Sequence, residues 1–148
     1  MILNHDYVRD ILLYVEKNLN YKSDEEVPTH HKKLDHSRLP DKEQFKNYDK
    51  DTLMYAIELL IQEQYLQCAK PPKYHEGDLL EADIIGLSWK GHELLDNVRD
   101  DNVWNAVKER ARSFGQFSIK TLSTIAGQLT VKLMTDPNAL QNLISIIK

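Results

Sequence analysis

The sequence is poor in the residues and runs that define several large classes of protein. Cys68 is the only cysteine, which excludes an internal disulfide and a cysteine-based zinc site and fits a reducing compartment. The charge-free stretch between Lys120 and Lys132, as long as any in the chain, is shorter than the roughly 20 apolar residues that span a bilayer. The first residues lack the basic start and apolar run of a secretory signal. We therefore expect a cytoplasmic protein with no membrane partner.

Motifs that carry chemistry are also missing from the sequence. It contains no glycine-rich phosphate loop, nucleophile elbow or paired metal motif. We therefore expect a protein that is not an enzyme and that has no cofactor and no metal. The formal net charge of −4 argues against bulk electrostatic coating of nucleic acid, although a local basic face remains compatible with it. A length of 148 residues suits one domain, or a small domain with an appended helical element.

The hydrophobic pattern of the first hundred residues predicts three helices followed by two strands. The predicted elements are, in order, a helix at 6–19 with Asp6 as N-cap, helices at about 41–48 and 50–64, a strand at 65–69, a turn-rich loop at 71–78 and a strand at 82–87. This is the order of a winged-helix domain with a β-hairpin as its wing. We predict an α+β, mostly helical fold, with a winged-helix domain at 1–100 and a C-terminal helical extension at 101–148.

The polar segment 20–40 carries three closely spaced histidines, His30, His31 and His36. A metal site would need a fixed ligand geometry, and no cysteine or tight helical histidine pair accompanies them. We therefore expect a solvated loop, with a phosphate or partner contact as the remaining alternative. The sequence Val27-Pro28-Thr29 is compatible with a short edge strand, because proline is excluded from central strands.

Five lysines are the candidate nucleic-acid contacts. Three of them recur at i, i+4 and i+8 and would line one face of the predicted second helix, and two belong to the wing; the five are Lys42, Lys46, Lys50, Lys70 and Lys73. A solvated helix face is the alternative for the first three. The third helix, Asp51–Gln64, contains three acidic residues and no basic one, so phosphates would repel it. Two functions therefore stay open: a regulator that binds double-stranded DNA, and a protein–protein interaction module that kept the scaffold.

Both tryptophans lie in the stretch 87–104, where a strand-like run gives way to an amphipathic helix. We expect Ser88 to cap a helix that starts at Trp89. Gly91 in its first turn costs about 1 kcal/mol relative to alanine, so it indicates the close approach of another backbone, from the first helix or the wing. Trp89 and Trp104 are expected to hold the helices that lead into the C-terminal third.

His92, Asp96 and Asp100 recur at i, i+4 and i+8 on that helix. Such a set is compatible with acid–base chemistry or with weak binding of a divalent cation. We favour a polar helix face, in which His92 packs and Asp96 pairs with Arg99 or Lys90. Cysteine chemistry is not indicated either, because no base is suggested near the single thiol, which we interpret as structural.

The string 85–104, IGLSWKGHELLDNVRDDNVW, resembles the most distinctive segment of a family of bacterial and prophage proteins, domain of unknown function 2513. Tyr55–Ile61 followed by Tyr65-Leu66 is similar to the preceding helix and strand of that family. The resemblance covers roughly residues 6–113. It implies a winged-helix-like fold and brings no established activity, cofactor or catalytic residue. The chain departs from the family pattern at Gln64, where a glycine would provide the left-handed helix cap, and in the longer, more polar segment 20–40.

The C-terminal third predicts three further helices. Asn102 is expected to cap the first, 114–117 to interrupt it, Ser118 to cap the second, and Asp136-Pro137 to start the last. The apolar positions of the last two helices form a seam: Ile119, Leu122, Ala126, Leu129, Leu133, Leu140, Leu143, Ile144 and Ile147. This seam either folds back on the core or forms a homodimer interface. The basic face is too weak to favour a membrane surface.

Overall fold

The computed structural model describes residues 1–19, 32–115, 117–138 and 141–142. The chain divides into two compact units, Met1–His92 and Glu93–Lys148. Helices predominate, and the strands form two small antiparallel sheets. The predicted α+β, mostly helical class is therefore confirmed. The division falls inside a helix, Trp89–Val98, while the sequence-based boundary lies at residue 100.

The first helix, α1, spans His5–Asn18 and confirms the predicted amphipathic pattern. Its N-cap is Asn4, whose side chain accepts a hydrogen bond from the Tyr7 backbone N–H at 3.1 Å. The prediction of Asp6 as the cap is wrong, and this residue lies in the first turn, where an acidic side chain favours the helix dipole. The helix packs against α2, defined below, and against the sheet. Its buried side chains are Val8, Ile11, Leu12 and Val15.

The predicted second helix at 41–48 is wrong. Residues 36–45 form two short 3-10 helices, His36–Asp41 and Glu43–Phe45, and Lys42 between them has an extended conformation. A run this short is a poor α-helix, because nucleation is costly and 3-10 turns serve as connectors. Phe45 is buried, with its ring centroid 5.4 Å from that of Tyr14. The aromatic contact holds this segment without an α-helix.

Helix α2, Lys50–Gln62, is the predicted third helix. Asp49 caps it by accepting a hydrogen bond from Thr52 N at 2.9 Å. Its buried side chains are Leu53, Ala56, Ile57, Leu60 and Ile61, whereas Gln64, which was predicted to belong to the same stripe, is exposed.

The end of α2 corrects a second expectation. Gln64 adopts a φ of 62° and so has the left-handed conformation for which a glycine was expected. Its N–H donates to the Ile61 carbonyl at 3.1 Å, and the next N–H, of Tyr65, donates to the Leu60 carbonyl at 2.9 Å. These two bonds form a Schellman motif. A glutamine in this conformation costs roughly 1 kcal/mol relative to glycine, and the helix ends there all the same.

The larger sheet has three antiparallel strands in the order β1, Leu34–Asp35, then β5, Asp83–Leu87, then β2, Leu66–Cys68. The β2–β5 pair confirms the two predicted strands, and a bulge interrupts it between Gln67 and Cys68. Strand β1 lies in the segment that was expected to be a loop, and it pairs with β5 through Leu34 and Ile84.

The segment predicted as a loop at 71–78 belongs to a second hairpin. Strands β3, Lys73–His75, and β4, Asp78–Glu81, pair antiparallel in a second sheet. Glu76 and Gly77 connect them with φ values of 49° and 90°. Positive φ at both central residues is the geometry of a type I′ turn, whose twist matches that of the flanking strands.

The second unit contains the remainder of α3, Trp89–Val98, together with α4, Asp101–Arg112, and α5, Ile119–Thr135. Helices α4 and α5 pack against each other. Asp100 caps α4 by accepting from Val103 N at 2.9 Å, so the prediction of Asn102 as the cap is wrong. Ser118 caps α5 as predicted. No helix among the described residues is long and apolar enough to cross a membrane.

Candidate interaction groove

Ser88 joins the end of α2 to the start of α3. Its Oγ accepts a hydrogen bond from Gly91 N at 3.0 Å, which confirms the predicted N-cap. The same hydroxyl lies 2.6 Å from the Gln64 carbonyl and 3.1 Å from the Tyr65 carbonyl, so it donates back to the turn that ends α2. One side chain therefore fixes the start of α3 against the entrance to β2.

Gly91 makes the close backbone approach that its position in a helix predicts. A Cβ added there would lie under 3.0 Å from the Tyr65 carbonyl oxygen and 3.2 Å from its carbonyl carbon. Tyr65 immediately precedes β2, so the neighbour is the backbone at the start of this strand and not α1. The glycine is required because a backbone, which cannot rotate away, occupies the space of a side chain.

An open groove of about 880 Å³ lies beside this junction. Its walls come from the end of α2, from β2, from the 69–74 loop and from the first turn of α3. Trp89 on its rim is 81% exposed and Tyr74 is 47% exposed, whereas Trp104 is 1% exposed. The expectation that both tryptophans hold helices in place is therefore wrong for Trp89, which is displayed at the surface. Pro71 and Pro72 extend the apolar lining.

Strand β2 presents its backbone to this groove. It lies at the edge of its sheet, and among the described strands only β5 pairs with it. On the β5 side, the Ser88 N–H donates to the Tyr65 carbonyl at 3.1 Å, and the Ala69 N–H donates to the Asp83 carbonyl at 2.9 Å. Because backbone groups alternate in direction along an antiparallel strand, the N–H and C=O of Leu66 and Cys68 point away from β5. Leu66 and Cys68 both line the groove.

Two lysines stand at the ends of this edge. Lys90 Nζ donates to the Glu63 carbonyl at 3.1 Å and lies 4.2 Å from the centroid of the Tyr65 ring. At the other end, Lys70 Nζ lies 2.9 Å from a Glu81 carboxylate oxygen, and that ion pair raises the pKa of Lys70 and lowers that of Glu81.

The five candidate nucleic-acid lysines lie on two segments of the chain, 42–50 and 70–73. Lys42 and Lys46 share no helical face, because the helix that would align them is absent from the fully described residues 36–48. Lys46 pairs with Glu43, and Lys50 starts α2. Lys70 and Lys73 are brought together by one carboxylate, Glu81, at 2.9 and 3.2 Å. Lys70 and Lys73 thus share a single counter-ion, while the other three lie on a different segment.

The comparisons with known proteins agree with the sequence pattern. The family model described as "Hypothetical protein (DUF2513)" matches residues 2–117. The chain belongs to this family. A relative from Haemophilus influenzae, described as "Uncharacterized protein", is 31% identical over 110 residues, which cover 74% of this chain and 78% of that protein. No solved structure matches. In this DUF2513 protein the family match includes every residue that lines the groove.

The histidines of this DUF2513 protein do not form a metal site in the part of the chain that the structure describes, where no group of three or more metal-ligating side chains occurs. His36 is buried at 4% exposure, so its expected place in a solvated loop is wrong. Its backbone N–H donates to the Ala82 carbonyl at 3.0 Å, because β1 brings it to the sheet. His30 and His31, like the proposed edge strand at 27–29, lie outside the described residues.

The polar face of α3 follows the predicted pairing in part. Arg99 donates to the Asp96 carboxylate at 3.0 Å, as expected. His92 is half-exposed, with Nδ1 3.9 Å from a Glu16 carboxylate oxygen. Asp100 serves as the α4 cap and not as a member of a cation site. Burial, with a smaller effect of Asp83, raises the pKa of Cys68, so this residue is a protonated thiol and a poor nucleophile.

The predicted C-terminal seam is partly covered within the single chain. Leu122 and Ala126 are buried on α5, which packs against α4, while Ile119, Leu129 and Leu133 are half-buried. Three large apolar side chains of α5 that do not belong to the seam are exposed: Ile125, Val131 and Met134. The remaining seam residues lie outside the described residues: Leu140, Leu143, Ile144 and Ile147. A homodimer through this seam stays a prediction.

Proposed function

We propose that this chain is a non-enzymatic protein–protein interaction module whose first unit is a winged-helix-like scaffold. The order α1, α2, β2 and β5, with the β3–β4 hairpin at the tip, supports the scaffold. The helix between α1 and α2 is replaced by 3-10 turns, which a wing domain tolerates because aromatic packing holds the segment. The proposed binding site is the groove between β2 and Trp89.

The exposure of Trp89 carries the proposal. A tryptophan that is 81% exposed places a large apolar surface in water, which soluble proteins generally limit to binding sites. Tryptophan and tyrosine are also the residues that most often dominate the energy of protein interfaces. Here Trp89 stands at the start of a helix and Tyr74 on the facing hairpin, with a strand edge between them. Both aromatic groups can therefore contact one bound chain.

A DNA-binding regulator is the second candidate, because the element order favours a winged helix and such domains often place the helix before the wing in the major groove. The charges weigh against it. Helix α2 contains Lys50, Asp51 and Glu58, a net charge of 1 − 2 = −1. The wing lysines share Glu81, so together they supply at most one net positive charge, fewer than the several phosphate contacts of a DNA-binding surface need. We therefore rank polypeptide above DNA as the partner.

The test for a polypeptide partner is selection from a random peptide library on the purified full chain. We expect wild-type protein to enrich peptides whose affinity falls on the change Trp89→Ala by about 2 kcal/mol, a factor of about 30. Leu80→Ala is the matched control, because Leu80 is 62% exposed on the same unit and is not part of the groove lining. Calorimetry with the synthesised peptides gives the affinities. If no peptide is enriched, or if both variants behave alike, the interaction module is wrong.

The DNA alternative has its own measurement. A fluorescently labelled random duplex is titrated with the protein at low and at moderate salt. Binding that weakens steeply with salt and falls on the combined change Lys70→Ala and Lys73→Ala would support the regulator, because released counter-ions make phosphate contacts strongly salt-dependent. We expect no such binding even at low salt.

A further inference from the structure

We infer that the partner bound in the groove is an extended acidic peptide that adds to the outer edge of β2 as a fourth strand. The inference rests on the proposed function and specifies its partner. Three observations carry it: the direction of the β2 backbone groups, the two lysines at the ends of the strand, and the exposed aromatic side chains beside it.

The backbone of β2 provides the first support. Leu66 and Cys68 each direct one N–H and one C=O away from β5, towards the groove. A peptide in extended conformation satisfies these four groups with a regular ladder, which is how strand addition gains affinity from main-chain hydrogen bonds. A helix cannot do this, because its own N–H and C=O groups are already paired along its axis. The edge therefore selects an extended partner.

The charges at the two ends select an acidic one. Lys90 is held at the Glu63 carbonyl, before β2 begins, and Lys70 follows the end of the strand. From Tyr65 to Lys70 an extended chain covers about 17 Å, so two acidic side chains about five residues apart on the partner would each face a lysine.

Acidic side chains near the groove reduce this positive charge without reversing it. Glu63 lines the groove, and Glu81 pairs with both Lys70 and Lys73. Asp83 also acts on Lys70 and on Cys68, so three lysines face three carboxylates, 3 − 3 = 0, in a chain whose net charge is −4. The positive charge available to the partner is that of Lys90, whose Nζ contacts a backbone carbonyl and the Tyr65 ring rather than a carboxylate.

The same charges argue against a second copy of this chain as the occupant. Two β2 edges paired antiparallel would bring the Lys70 end of one strand to the Lys90 end of the other. Edge strands commonly carry lysine, proline and bulges, which prevent such self-pairing. Lys70 and Pro71 follow the end of β2, and a bulge interrupts the β2–β5 pairing between Gln67 and Cys68. An acidic peptide removes the repulsion that a second copy would create.

The aromatic side chains define where an apolar residue of the peptide would lie. Trp89 and Tyr74 both line the groove and are exposed. Side chains of a strand alternate between its two faces, so an apolar residue between the two acidic positions would contact them. The expected partner is thus a short strand with an acidic residue near each end and an apolar residue between.

The experiment uses the peptides selected on the full chain by their dependence on Trp89. We expect their common sequence to contain two acidic positions about five residues apart. N-methylation of the peptide amides that face Leu66 and Cys68 should weaken binding about tenfold in total, because it removes the ladder hydrogen bonds; N-methylation of the alternate amides is the matched control. The modification is made on the peptide, so the fold of the protein is not altered.

Protein variants test the charge argument in parallel. Lys70→Gln and Lys90→Gln should each weaken binding about two- to fivefold, most at low salt. Lys46→Gln is the control, since Lys46 is exposed on another segment and pairs with Glu43. Circular dichroism of each variant verifies that the fold is kept.

The outcomes separate the inference from the proposed function. Trp89-dependent peptides that are helical or basic, or that tolerate N-methylation at every position, would overturn strand addition while the interaction module stands. A failure to find any Trp89-dependent peptide would remove both. A peptide-free protein with twice the chain mass in light scattering, reduced to one chain by Trp89→Ala, would identify a second copy as the occupant and overturn the acidic partner.

Discussion

The change Gly91→Ala tests the junction that shapes the groove. The added Cβ would meet the Tyr65 carbonyl oxygen at less than the 3.0 Å that real Cβ atoms keep. That oxygen also accepts a hydrogen bond from Ser88 N at 3.1 Å, so a shift of the carbonyl disturbs the start of α3. Overpacking costs up to about 3 kcal/mol, and the better helix propensity of alanine recovers about 1 kcal/mol. We expect a net loss of about 2 kcal/mol.

Urea unfolding followed by far-UV circular dichroism measures this loss. Gly86→Ala is the matched control, because a Cβ at Gly86 meets nothing within 4 Å and lies in the neighbouring strand β5. We expect the control to change the free energy of unfolding by less than about 0.5 kcal/mol, as surface substitutions usually do. A Gly91→Ala protein as stable as wild type would refute the expected clash with the Tyr65 carbonyl oxygen.

Three further substitutions have expected outcomes in the same unfolding assay. Gln64→Gly should stabilise the protein by up to about 1 kcal/mol, because glycine adopts the positive φ without strain; no gain would contradict the left-handed turn. Gly127→Ala should be nearly neutral, since its Cβ meets only the side chain of Asn97, with Oδ1 at 2.7 Å and Cγ at 3.0 Å, and this side chain can rotate away while alanine favours the helix. Tyr48→Phe removes a hydrogen bond of 2.6 Å to the Asp10 carboxylate and should cost about 1 kcal/mol at neutral pH. Burial and that bond raise the pKa of Tyr48 above its ordinary value of 10.0. The stability contributed by the bond is therefore present below the pKa of the unfolded chain and is lost as pH rises through the pKa of the folded protein. An equal loss of stability at alkaline pH in wild type and variant would contradict this role of the bond.

Helical periodicity predicted the parts of the fold in which one face is buried. The apolar stripes of α1 and α2 correspond to the side chains that the structure buries, because each helix contributes a single continuous face to the core. Local chemistry was equally informative at the junction, where Ser88 caps α3 and Gly91 admits a neighbouring backbone. The helical stripes and the Ser88 cap are set within a few residues along the chain, whereas Gly91 marks a contact with Tyr65, which is distant in sequence.

The errors fall where distant contacts or short elements decide the structure. Strand β1 has two residues and forms only because β5 accepts it as a neighbour, which no local pattern reveals. The caps of α1 and α4 differ by two residues from the predicted ones, since several polar residues before each helix are able to cap it. The sequence did contain a signal for the β3–β4 hairpin. Gly77 is a residue that readily adopts the positive φ of a tight turn, and it lies between the segments that form β3 and β4.

The groove itself could not be found from the sequence. The groove forms where the edge of β2, the start of the β3–β4 hairpin and the first turn of α3 come together. The sheet order decides that β2 is an edge strand, and the local sequence does not reveal that order. Trp89 was expected to be buried because an aromatic residue at the start of an amphipathic helix usually packs inward. The spacing of Lys42, Lys46 and Lys50 predicted a shared helical face. That face needs an α-helix through residues 41–48, and the segment forms short 3-10 helices instead.

The central claim is that a polypeptide binds at the outer edge of β2 beside Trp89. Amide hydrogen exchange of the full chain, measured by NMR with and without a Trp89-dependent peptide, tests it most directly. The account predicts slowed exchange at the Leu66 and Cys68 amides, which point into the groove, and little change at Gly77 on the hairpin tip. Unchanged exchange at Leu66 and Cys68 in a saturated complex would contradict it.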